Sequence, residues 1–289
     1  MRRTGESSSK SMNETNPPIL DHAIGQRSAF TAEKLMEECR RIREVPEGAV
    51  PAVCVLDFDG DLTDWLVEAQ TANSFPSWAC FHTKMFVMNF EGVECGIIAR
   101  TIGGPYAVLI AEQLHAAGAK MIIGLTSAGR LAPDLRLPCL IVATSAVRDE
   151  GTSYHYLAPR QEVACPTPVA EHLERELAAA TGWNVHSGKV WTTDAPYRET
   201  REQIDNWAGK NALAVEMQTA SLFAFGTARD ARVASVVMVS NAVDHQGEQF
   251  DTGSPADGLR ILKAIVRAAR SYLETEYCVH SDSDRTTGA

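Results

Sequence analysis

The densest group of chemistry-bearing residues is the stretch LDFDGDLTD at 56–64, where an apolar run ends in four aspartates, Asp57, Asp59, Asp61 and Asp64. An Asp-x-Asp pair at a strand end suits an aspartyl-phosphate phosphatase, with Asp57 as nucleophile and Asp59 as acid. That chemistry needs Thr or Val where Asp61 stands, and a later Lys and paired Asp to hold phosphate and magnesium; the sequence supplies no convincing set. A calcium loop would use Asp57, Asp59, Asp61 and Glu68 at ligand positions one, three, five and twelve, but it needs glycine at the sixth, where Leu62 sits. No metal site or cofactor is expected. A solvated acidic loop after a strand is the plain reading of the residues alone.

Further polar groups follow other apolar runs. TIGGP (101–105) precedes a helical pattern, and Gly103 and Gly104 there expose backbone N–H groups and admit a ligand closely. LTSAGRLAP (125–133) carries Thr126 and Ser127. AVRDEGTSYHYLAP (146–159) gathers Glu150 and Tyr154 with other groups able to hold a planar ligand. WTTDAPYRET (191–200) is another such loop, AVEMQTA (214–220) places Glu216, Met217 and Gln218 at a strand-to-helix mouth, and VMVSNAVDHQG (237–247) ends a strand with Ser240, Asn241 and Asp244. Each alone is explained by a cap or a turn. Together they fall where open α/β sheets bind ligands, at the carboxyl ends of strands.

The elements that must position these loops are legible as alternation. Val/Ile-rich runs at 52–58, 95–101, 120–125, 139–147 and 232–240 suit buried strands. Helical patterns occupy 31–44, 104–117, 168–180, 198–209, 217–228 and 257–274; in the last, Leu259, Leu262, Ile265, Val266, Ala269 and Leu273 share one face. Strand then helix, repeated, predicts a three-layer α/β/α fold with a mainly parallel, twisted central sheet. Residues 21–275 are expected to form one domain, and the polar composition of 1–20 and 276–289 predicts disordered tails.

Bulk properties narrow the function. The chain has 289 residues, 45% of them hydrophobic, and 37 acidic against 27 basic side chains give a formal net charge of −10. Such a surface repels phosphate backbones and anionic membranes, so no nucleic-acid or membrane partner is expected. No apolar run is long enough for a membrane span, and the first residues contain no apolar signal segment. Seven scattered cysteines, mostly within apolar runs, suit free thiols in a reducing cytoplasm.

Taken in order, IGGP, the SAG loop, EGTSYHY, TDAPYRET, the EM pair of VEMQTA and the SNAVD strand end resemble the nucleoside phosphorylase family. That family includes uridine phosphorylase, hexameric purine nucleoside phosphorylase and methylthioadenosine nucleosidase. The resemblance covers about residues 50–275 and implies an enzyme that breaks the N-glycosidic bond of a nucleoside, through an oxocarbenium-like sugar. It implies that Glu216, Met217 and Gln218 surround the sugar, that Ser240 and Asn241 meet the base, and that Gly103, Gly104, Thr126, Glu150 and Tyr154 complete the substrate site.

The chain departs from the family where phosphate binds. The phosphorylases carry Gly-Asp-x-x-Arg after the first strand; here Asp64 follows Gly60–Asp61–Leu62–Thr63 in the arginine position. Gly124 takes the place of a second phosphate arginine, and Phe81 lies near the place of a third, which comes from a neighbouring subunit. The nucleosidases have a water-activating Glu where Asp64 stands. The resemblance therefore favours hydrolysis of a nucleoside, purine by preference, with Asp64 as base, its pKa raised by the aspartates around it, and Ser127 placing the water. Phosphorolysis, with Arg100, Arg130 or Lys84 rebuilding the phosphate site, is the alternative, and a non-catalytic nucleoside-binding protein is the third. A homodimer or hexamer is expected, with Phe81–His82–Thr83–Lys84 donated in trans.

Overall fold

The structure is a computed structural model, and it describes residues 17–242 and 254–286. In chain order it comprises α1 (Ala32–Arg43), β1 (Val53–Asp57), α2 (Asp61–Glu68), β2 (Asn73–Ser74), β3 (Phe86–Phe90), β4 (Val93–Ala99), α3 (Gly104–Ala116), β5 (Met121–Arg130), β6 (Cys139–Asp149), β7 (Glu162–Ala164), α4 (Ala170–Thr181), β8 (Asn184–Thr193), α5 (Arg201–Gly209), β9 (Ala212–Glu216), α6 (Thr219–Arg229), β10 (Val233–Ala242) and α7 (Pro255–Thr286).

All ten strands belong to one sheet. Its centre is parallel: β1 lies between β4 and β5, and β5 runs beside β10. The edges are antiparallel, with β3 on β4 and β2 on β3. β5 is shared. Beyond its parallel partners it meets β9 through Gly129 and Arg130, while β10, β6, β8 and β9 pair in succession. Half the sheet thus closes on itself, which removes two edges that would otherwise be open to pairing.

Period-2 alternation assigns the two faces. In β1, Cys54 and Leu56 pack with Ile110, Leu114, Leu222 and Phe223 of α3 and α6. Val53 and Val55 pack on the other face with Leu62 and Leu66 of α2, Leu173 of α4, and Ile261 and Ile265 of α7. Both faces are therefore apolar, and each large side chain so buried contributes about 1.5–3 kcal/mol. The three-layer arrangement follows.

Two differences from the sequence reading stand out. The acidic stretch is not a loop throughout: α2 begins at Asp61, directly after the turn. Helix α7 continues through Thr286, into a segment whose composition suggests no structure, and a short 3-10 turn at Pro18–Leu20 lies within the other such segment. Among the described residues no helix is long and apolar enough to cross a membrane.

Candidate active site

The four aspartates of the acidic stretch diverge sharply. Asp57, at the end of β1, is buried and points inward, where it accepts the N–H groups of Gly60 (3.2 Å) and Thr63 (2.8 Å) and the Thr63 hydroxyl (2.6 Å). It caps α2. Burial pushes its pKa up, against the pull of these donors. Gly60 makes the turn between them, at φ +88°, with Arg100 lying over it: a Cβ there would sit 2.6 Å from Arg100 Cγ. A side chain there would be strained and would have to displace Arg100.

Asp64 faces outward. Arg100 donates to both its carboxylate oxygens, at 2.8 Å to Oδ1, and the two side chains are 53% and 54% exposed. The guanidinium holds the Asp64 carboxyl below the usual carboxylate range. The expectation that neighbouring aspartates raise its pKa is therefore corrected: the hydrogen bonds to Arg100 dominate.

Asp59 turns the other way. It accepts the Ser127 N–H at 2.8 Å and the Ser127 hydroxyl at 3.0 Å, so a single serine of β5 grips both carboxylate oxygens. Burial pushes its pKa up, the two Ser127 bonds pull it down, and Asp61 raises it further. This carboxylate forms part of the wall of a cavity of about 420 Å³, with Phe58, Thr126, Ser127, Met217, Gln218 and Glu199 among its other walls. Asp64 is not in that wall.

Gln218, at the start of α6, ties the cavity together. Its Oε1 accepts the Gly103 N–H at 2.9 Å and its Nε2 donates to Thr126 Oγ1 at 3.0 Å, joining the glycine turn before α3 to β5, which runs as strand through the Thr126–Arg130 segment expected to be a loop. Glu216 also reaches the wall, yet its carboxylate is spent on protein: it accepts the Thr192 hydroxyl and the N–H groups of Gln218 (2.6 Å) and Thr219 (2.8 Å). Burial raises its pKa. Gly104 is buried beside Ser221, whose hydroxyl donates to Glu150 at 2.6 Å.

Glu150 and Tyr154 stand apart, lining neighbouring cavities of about 700 and 360 Å³. The Tyr154 hydroxyl donates to the Arg148 carbonyl at 3.0 Å, and the Arg148 guanidinium lies 4.4 Å from its ring centre. The strand β10 brings Asn241 level with Gly129 at the cavity end of β5, and Ser240 precedes it. The side chain of Asn241 and all of Asp244 lie outside the described residues.

Two groups go beyond the expected set. One is Asp59 in its grip by Ser127. The other is Glu199, in the TDAPYRET loop, whose carboxyl is pushed up to about 6 by burial in the same wall. Both were visible as acidic residues in motifs, but nothing in their spacing marks them as cavity-facing. Among the described residues no group of three or more His, Cys, Asp or Glu side chains is placed to hold a metal ion.

A sequence model of the Phosphorylase superfamily matches residues 53–270, from the first residue of β1 into α7. The chain belongs to the phosphorylase superfamily. Helix α1 precedes the matched region. Similar proteins include a guanosine phosphorylase of Halorubrum lacusprofundi, 30% identical over 190 residues, covering 64% of this chain and 77% of the relative. A uridine phosphorylase of Treponema pallidum is 28% identical over 204 residues, covering 65% and 78%. The crystal structure of uridine phosphorylase from Vibrio fischeri shares the fold, with a TM-score of 0.61 at 22% identity over 76% of this chain and 93% of that one.

The positions where the resemblance expects phosphate-binding arginines have physical occupants. At Gly124 a Cβ would meet the Phe58 ring at 2.8 Å, so no longer side chain fits there without moving that ring. Arg130 donates to the Leu135 carbonyl at 3.1 Å, and Lys84 is exposed. Of the three cations considered for a rebuilt phosphate site, Arg100 is already engaged with Asp64.

Proposed function

We propose that this chain cleaves the N-glycosidic bond of a nucleoside with water as the acceptor. One observation carries the choice of water: the Ser127 N–H and hydroxyl, the free-standing donors that an anion would seek, are both taken by the Asp59 carboxylate inside the cavity. Among the described residues the cavity wall has no lysine or arginine. An orthophosphate dianion would be desolvated against a carboxylate, which is repulsive in a low-dielectric site. Met217 and Gln218 line the cavity without charge, which suits a sugar, and the Ser240–Asn241 pair near the end of β10 favours a purine with a 6-oxo group.

Phosphorolysis is the second reading, favoured by the relatives that are guanosine and uridine phosphorylases and by Arg100 beside Gly60. The six described cysteines are free, and five of them are buried, which supports action in a reducing cytoplasm. The deciding measurement is incubation with purine and pyrimidine nucleosides, with and without millimolar phosphate, with chromatography of base and sugar. The expected outcome is free base and free sugar at a rate indifferent to phosphate. Sugar 1-phosphate would replace the water reading by phosphorolysis, and no product under either condition would leave a nucleoside-binding protein.

A further inference from the structure

Resting on the hydrolytic reading above, we infer that Asp59 is the general base that activates water in the cavity, and that Ser127 positions it. Three independent features meet at this side chain. It forms part of the wall of a cavity of about 420 Å³, beside the Met217–Gln218 step. Its two oxygens are oriented by one serine, through a backbone N–H at 2.8 Å and a hydroxyl at 3.0 Å, so the carboxylate is fixed in place before any ligand arrives. Among the described residues its hydrogen-bond partner is Ser127 and no cation, whereas Asp64 is bound to Arg100 and Asp57 is spent on capping α2. A carboxylate that accepts two hydrogen bonds still has lone pairs for a water, and a positioned base needs that reach.

The water oxygen bonds to the anomeric carbon as the bond from that carbon to the base nitrogen breaks, and that electron pair leaves with the base. The water proton passes to Asp59, and from there to solvent. The departing base takes up a proton at its nitrogen, and Glu199 in the same wall, its carboxyl pushed up to about 6, is the acid assigned to give it. The products are free sugar and neutral base.

Among the described residues, the charged and titratable groups around Asp59 are Asp57 and Asp61 on its own turn, Arg100 over Gly60, Glu216 at the end of β9, and Tyr197 and Glu199 on the loop after β8. Burial and Asp61 place the Asp59 carboxyl above an ordinary aspartate, so base-catalysed turnover is lost as pH falls through that raised value.

The test compares Asp59→Asn and Ser127→Ala with the wild-type protein, using a nucleoside that the wild type cleaves, without phosphate. Asp59→Asn keeps an acceptor for Ser127 and should lower kcat by roughly 10²–10⁴-fold with KM nearly unchanged. Ser127→Ala removes one charge-assisted bond from the carboxylate and should move the acid limb of the pH profile up by about one unit. Should Asp59→Asn fold poorly, the Ser127→Ala shift decides alone. Wild-type turnover with a full-rate Asp59→Asn, or an unmoved limb in Ser127→Ala, overturns the role of Asp59 and leaves hydrolysis standing. A wild type that requires phosphate, or that cleaves no nucleoside, overturns the hydrolytic reading and this inference with it.

Discussion

Three of the four aspartates within residues 57–64 meet three different fates on one short stretch of chain. Asp57 is buried as a helix cap, Asp59 faces a cavity from the grip of Ser127, and Asp64 lies half in solvent against Arg100. Their pKa directions follow: up by burial for the first two, down by the guanidinium for the third. Because Asp64 is exposed and paired, Asp64→Asn should cost no more than about 1 kcal/mol, a Tm shift of about 2–4 °C at most for a chain of this size. Its turnover should stay within about fivefold of wild type, read by base release, since a surface ion pair of that size is worth no more. An Asp64→Asn protein that is folded but inert, beside an active Asp59→Asn, would return the base to the position that family spacing suggests. The pH profile separates the two aspartates by sign. A base with a lowered pKa stays ionised below the ordinary aspartate value of about 4, whereas a raised one loses its activity above it.

At the scale of elements, the glycine turn before α3 has the closest approach met by any described glycine. A Cβ on Gly104 would lie 2.1 Å from Ser221 Oγ and 3.3 Å from Thr152 Oγ1. Ser221 has little room to yield, because its hydroxyl donates to the buried Glu150. Gly104→Ala should therefore destabilise the protein by about 1–3 kcal/mol, the usual cost of overpacking, and lower Tm by several degrees in a thermal melt. An unchanged melt would mean that α3 and α6 separate easily here. The elements themselves were legible where local pattern decides: the Val/Ile runs of β1, β4, β5, β6 and β10 and the amphipathic face of α7 all form as their sequences suggest. Helix α2 was hidden because it is only eight residues long and its apolar residues, Leu62, Trp65, Leu66 and Val67, alternate with acids that read as the continuation of an acidic loop. The closure of β10 and β9 onto β5, and the bond from Ser127 to an aspartate 68 residues earlier, are long-range events that no local periodicity encodes.

At the scale of the whole molecule, the cavity's rim carries exposed apolar surface. Tyr197 is 100% exposed and Ile102 50% exposed, and both border the same cavity as Asp59. Apolar surface of this kind at the mouth of a polar site suits coverage by substrate or by another subunit. The segment from Phe81 to Lys84 is built to be presented: Arg43 stacks on the Phe81 ring at 4.9 Å, Trp78 Nε1 donates to Thr83 Oγ1 at 2.9 Å, and His82 and Lys84 between and beyond them are exposed. We expect a homo-oligomer in which this segment of one subunit approaches the cavity of its neighbour, as the superfamily resemblance implies. Light scattering on the eluting protein should then give twice 31.4 kDa or more at micromolar concentration. If the segment acts in trans, a His82→Ala, Lys84→Ala double variant and Asp59→Asn should each be weak alone. Mixed and allowed to exchange subunits, they should regain base release, because some mixed pairs then hold one site with both intact parts. A monomer that turns over nucleoside at the full rate, or a mixture no more active than its components, would remove the shared site.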